Sequence, residues 1–242
     1  MAPYTRTVQT RVVDDPGGAS RSIATVDDHF HGFEVVLELR DGEVVSASAA
    51  SHRHPWSTCP GALRSVPTLR GAPDAVARSL LERGREHTCV HVNDLVWLAS
   101  RLHRQRRYDI EVTPSGASLA RDGVPVFDWR LDGWTIVSTG PFEGMFVLGP
   151  ELRERLATLG ADDDLREALR VMRRAVAVAM GYFELDWASF ETAADIDWSV
   201  MAGSCHTFTE ARLTSAQRLA RLPDTVLPGT PEAGSVVPPA GI

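Results

Sequence analysis

The chain has 242 residues, 43% of them hydrophobic, which suits one large domain or two small ones with a real core. Its net charge is −7, and its 25 basic residues, all arginine, are scattered among 32 carboxylates, so no basic face for a phosphate backbone is expected and nucleic acid is set aside as a partner. No apolar run approaches a membrane span, the N-terminus lacks the apolar centre of a signal peptide, and three cysteines are an odd number for disulfides. The expectation is a cytoplasmic protein with free thiols or thiol metal ligands and no membrane partner.

Residues 1 to about 20 are polar and end in glycine, and read as a flexible N-terminal arm. Strands are predicted at Arg21 to Val26, Phe33 to Arg40 and Glu43 to Ser51, with Asp41-Gly42 as a hairpin turn between the last two. From Pro55 the chemistry becomes helical. Pro60 suits the first position of a helix and places Cys59 at or near its N-cap, where a thiolate is favoured. A second helix is expected from Pro73 to Glu82 and a third from Val90 to Arg104, whose Val92, Leu95, Val96, Ala99 and Leu102 share one face and should pack on a sheet. The arginines between Arg101 and Arg107 sit at its end, where cations suit the dipole.

Four short strand-like runs follow between Tyr108 and Val147, separated by glycine turns, and argue for an antiparallel meander. Helices are predicted at Glu151 to Leu159 and Asp163 to Phe183. From Pro223 the chain is rich in proline, glycine and alanine and is expected to be disordered, within a C-terminal extension starting at 211. The fold class is therefore α+β: one domain over residues 21–210, with two antiparallel sheet regions, three N-terminal strands and a central meander, packed with helices.

All three cysteines sit in motifs: Cys59 in HRHPWSTCPGA, Cys89 in HTCVHVNDL and Cys205 in GSCHTF. Zinc and iron take such ligands, and Cys59, Cys89, His91 and Cys205 form the candidate set, with His87 as a substitute. Residues two apart on a regular helix point about 200° apart, so Cys89 and His91 can share an ion only if Cys89 precedes the first turn. An alternative is a reactive Cys59, its pKa lowered by the helix start and by the upstream His52, Arg53 and His54. The competing reading is a buried thiol acting as a small hydrophobe.

Acid-base chemistry is suggested by DDHFHGF, where alternation puts His29 and His31 on one strand face, and by His91, three residues before Asp94 and so oriented by it. His31 is the stronger candidate and His29 reads as solvent-facing. No nucleophile elbow, phosphate loop, dinucleotide fingerprint or H-E-x-x-H occurs, so no nucleotide cofactor is expected.

The succession DDHFHGFEV, R-x-P-W-S-T-C-P-G-A at 53–62, C-V-H-V-N-D-L at 89–95, RDGVPVFDW, EALRVMRRAVAVAMGYFELD and GSCHTF resembles a bacterial family known only as domain of unknown function 2889, over about residues 20–210. The resemblance implies His31, Arg53, Trp56, Cys59, Cys89, His91, Asp94 and Cys205 as site positions. It supplies no reaction.

Two functions follow. One is a small-molecule metabolic enzyme acting on an aromatic or acyl substrate that carries a carboxylate: Cys59, Cys89, His91 and Cys205 hold zinc or iron, Arg53 grips the carboxylate beside Trp56, and His31, with Cys59 and Asp94, serves the chemistry. The other is a non-catalytic metal or cluster carrier, or a small-molecule binding protein; the order of elements is similar to that of iron-sulfur scaffold proteins. Trp97 falls on the outer side of its helix, so a homo-oligomer contact there is an open expectation.

Overall fold

The protein is described by a computed structural model covering residues 2–14, 18–72, 88–102, 105–158, 163–197, 203 and 205–219. The expected helix at Pro73 to Glu82, His87 and the tail from 223 lie outside these residues.

The first eight elements to place are strands: β1 Tyr4–Asp14, β2 Ser20–Asp28, β3 Gly32–Arg40, β4 Glu43–Arg53, β5 Gln105–Thr113, β6 Gly116–Arg121, β7 Val124–Asp132 and β8 Thr135–Ile136. They form one antiparallel sheet in the order β4-β3-β2-β1-β5-β6-β7-β8. The α+β class stands, but the two expected sheet regions are one. The seam is β1, the segment read as a loose arm, which pairs with β2 on one side and β5 on the other. Its inward residues Tyr4, Arg6, Val8 and Thr10 are buried while Thr5 and Arg11 are exposed. The period-2 pattern of a strand is present, but an arginine and a threonine in two of the four inward positions disguise it as a polar stretch.

The hairpins follow local chemistry. Asp41 and Gly42, with φ of 51° and 79°, turn β3 into β4, and Asp122 and Gly123, with 53° and 81°, turn β6 into β7. Two consecutive positive φ values give the turn whose twist matches the strands it joins.

Three α-helices lie on the sheet: α1 Val90–Ala99, α2 Pro150–Thr158 and α3 Asp163–Glu184. In α1, Val92, Leu95, Val96 and Ala99 are buried as the spacing predicts. The helix ends five residues short of Arg104, because Leu102 takes a left-handed φ of 57° and is exposed. The arginines after it therefore do not cap a helix: Arg106 and Arg107 lie in β5, paired to Asp164 and Asp109, and Arg101 pairs with Glu167. The inner face of α3, with Ala168, Leu169, Met172, Ala175, Val176 and Ala179, is fully buried.

The stretch Cys59–Leu69 is a 3₁₀ helix rather than an α-helix, with Pro60 in its first turn and Pro67 inside it. Residues beyond 211 do not simply trail away. Leu213 and Ala216 are buried with Trp56, Ala193, Ile196 and Phe208 in a second small core, and Trp56 pairs with Arg218 through a backbone bridge. Among the described residues no helix is long and apolar enough to cross a membrane.

Candidate functional site

The end of β2 carries the most heavily bonded carboxylate of the site. Asp28 Oδ1 accepts from the backbone N–H groups of Phe30 and His31, both at 2.8 Å, and lies 3.0 Å from His31 Nδ1. Its Oδ2 accepts from Arg6 Nη1 at 3.0 Å, and Arg6 stands directly opposite in the β1–β2 register. A carboxylate followed two and three residues later by N–H donors is the local signature of an Asx turn. His29, Phe30 and His31 are thus a turn, not an alternating strand, and all three are buried. His29 does not face solvent: it stacks on Tyr4 at 5.3 Å and packs on Tyr182 at 4.7 Å. Burial works against the Asp28 charge, but His31, Arg6 and the Phe30 amide overcome it and hold the carboxyl well below the ordinary carboxylate range.

The start of α1 supplies the next layer. Cys89 is its N-cap, with extended backbone, so it does precede the first turn, and its Sγ lies 3.5 Å from His91 Nδ1. The His91 ring lies on that of His31, centroids 3.9 Å apart, with Phe33 packed against both. Burial pushes His91 well below the ordinary imidazole value, and His31, Arg6 and Arg174 add to the shift, so His91 is neutral. The result is one continuous column: Arg6, Asp28, His31, His91, Cys89.

Asp94 does not orient His91. Its two oxygens accept from Arg170 Nε at 2.9 Å and Arg174 Nε at 2.6 Å, tying α1 to α3. These arginines outweigh burial and keep its carboxyl low.

The segment around Cys205 closes the other side. The His206 amide donates to Thr88 O at 2.7 Å, and Thr207 Oγ1 lies 2.9 Å from Thr58 Oγ1 and 3.6 Å from Cys59 Sγ. The three thiols, from segments far apart in the chain, are within electrostatic reach of one another. Cys59 is not activated as its position suggests. Burial lifts its pKa to about 11, aided by Cys205 and only partly opposed by Thr207, and lifts Cys89 to about 12. The upstream cations do not help it: His52 is held by Asp27 at 3.2 Å and His54 by Ser51 at 2.9 Å.

Two further positions differ from expectation. Arg53 is engaged by Asp27 Oδ1 at 2.8 Å and by the Asp28 carbonyl, clamping β4 to the end of β2 rather than facing a ligand. Trp56 is buried among Trp187 and Phe208 in the second core. Trp97 is half-buried, with the Arg101 and Arg170 guanidiniums over its ring at 5.0 and 4.8 Å, so its outer side is used within the chain. Among the described residues no three His, Cys, Asp or Glu side chains gather closely enough to hold one ion.

Asp28, Arg6, His206 and Thr207 were not singled out by the sequence. The D-x-x-H spacing of Asp28 and His31 was a usable signal, since it brings carboxylate and imidazole together across a turn. Arg6 carried none, because its partner is set by strand register.

Residues 7–105 match the family described as "Protein of unknown function (DUF2889)", so the resemblance is borne out over that stretch, which holds His31, Arg53, Trp56, Cys59, Cys89, His91 and Asp94. No curated protein and no solved structure matches the chain.

Proposed function

We propose that the Asp28–His31–His91–Cys89 column is the acid-base centre of a small-molecule enzyme acting on an aromatic or acyl substrate with a carboxylate. The observation that carries this reading is the buried Asp28–His31 pair at 3.0 Å. A carboxylate bound to Nδ1 fixes the imidazole's tautomer and orientation, leaving Nε2 to take or give a proton. The side chain of His31 retains 11% exposure, so a proton can pass between it and a ligand. The test is a screen of aromatic and aliphatic carboxylic acids and their thioesters for turnover, with His31→Gln in parallel. A substrate whose turnover falls roughly a hundredfold or more in the variant supports the assignment, since general acid-base catalysis contributes about 10²–10⁴. Turnover that survives the substitution overturns it.

A second reading is favoured by the gathering of three thiols. Buried thiols held in their protonated form need a cation to ionise, and zinc or iron is the cation that suits sulfur. Elemental mass spectrometry on protein purified without chelator or nickel column, beside Cys59→Ser, tests it. Near-stoichiometric metal lost in the variant supports a carrier or a metal-dependent enzyme, and none in either sample removes Cys59 as a ligand.

A further inference from the structure

Behind the His31–His91 stack lies a small cavity between β1, α1 and α3, with room for about one water-sized group beyond its mouth. Arg6, His91, Asp94, Arg170 and Arg174 are its polar lining, with Trp97 at the side. Two nitrogens of this lining are buried and have no hydrogen-bond partner among the described residues: Arg6 Nε and His91 Nε2. Their side chains are 3% and 7% exposed, so water outside the cavity does not serve them.

Arg6 Nε is a donor by its chemistry. His91 Nε2 is assigned as one by its neighbour, because the Cys89 thiol, held protonated by burial, donates across 3.5 Å to Nδ1 and leaves the ring proton on Nε2. Two buried donors opening on one cavity require an acceptor. The surrounding field is positive: Arg173, next on α3, is pushed below its ordinary value by burial and by the charges of Arg153, Arg174 and Arg170. Asp94 is the one carboxylate in the cavity wall and is already bonded to both mouth arginines.

We propose that this cavity is a binding site for one carboxylate group, one oxygen of which accepts from Arg6 Nε and His91 Nε2 while the rest of the group lies in the mouth beside Arg170 and Arg174. Guanidinium and carboxylate form charge-assisted hydrogen bonds about twice as strong as neutral ones, which suits an acceptor that must replace solvent for a buried arginine. The role expected of Arg53 thus falls to Arg6. That the carboxylate belongs to a substrate rests on the enzyme reading above; the binding itself does not.

The test uses the full chain with isotope-labelled histidine, observed by NMR during titration with sodium formate, sodium nitrate and sodium chloride at one ionic strength. His91 is expected in its Nε2-protonated tautomer, its ring signals shifting saturably with millimolar formate and far less with the other salts. Val171→Leu, which fills the cavity wall without touching a charge, is expected to weaken the formate response roughly tenfold or more. An Nδ1-protonated ring, or no formate response, leaves a trapped water as the occupant and overturns the proposal. Equal responses to all three salts reduce the cavity to a general anion site and overturn the carboxylate assignment. Formate binding without turnover of any carboxylate substrate would sink the enzyme reading alone.

Discussion

Asp28 is the residue on which the site depends, because one carboxylate answers a buried guanidinium, an imidazole and two amides. Removing one partner of a buried ion pair leaves the other uncompensated. Asp28→Asn is therefore expected to cost about 3–5 kcal/mol in chemical denaturation, and a loss under about 1 kcal/mol would show that Arg6 finds solvent instead. The thiols give a second check. With pKa values lifted to about 11 and about 12, Cys59 and Cys89 carry almost no thiolate at neutral pH. Alkylation of Cys89 in the native protein should run at least roughly a hundredfold slower than in the unfolded chain, read by peptide mass spectrometry. Rapid native labelling would mean that its surroundings are not those described.

The elements that deliver these residues meet at a few tight points. The 3₁₀ helix Cys59–Leu69 approaches the Cys205–Thr207 segment so closely that a Cβ on Gly61 would lie 2.3 Å from His206 Nε2. The His206 backbone is itself tied to Thr88, so the ring has little room to move. Gly61→Ala should destabilise the fold by about 1–3 kcal/mol, as overpacking does, and loosen Cys205, seen as faster labelling of that thiol. The docking of α3 on β5 rests on Glu167, fully buried, which accepts from Tyr108 Oη at 2.5 Å and pairs with Arg101. Local patterns announced most of these elements: the two Asp-Gly turns, the apolar face of α1 and the length of α3 were all readable. The 3₁₀ geometry at Cys59 and the early end of α1 were not, because prolines and a left-handed leucine act against a periodicity that otherwise continues.

The whole chain should answer to acid in two stages. His91 has a lowered pKa when folded, so the unfolded chain binds its proton first as pH falls below about 6.5; stability from this residue is complete above that value and declines below it. Asp28 and Asp94 are also lowered when folded, so their contribution is complete above about 4, the unfolded carboxylate value, and is lost as pH falls toward their folded values. Urea midpoints between pH 8 and pH 3 should therefore show a shallow decline followed by a steep one. His91→Asn should flatten the first, leaving the part due to His29 and His54, which burial also lowers.

What the amino-acid sequence determined by itself was local: strands and helices from their periods, hairpins from turn chemistry, the α+β class from their order, and a family resemblance from the motifs around Cys59, Cys89 and the DDHFHGF turn. These signals need only neighbours a few residues apart. The tertiary structure decided everything that depends on register and burial. It joined two sheet regions through β1, set Arg6 across from Asp28, gave Asp94 to α3 instead of His91, and turned Cys59 from an expected thiolate into a buried thiol. Charge pairing and desolvation are set by residues as distant in the chain as Thr58 and Thr207, and a chain read in one dimension does not contain those distances.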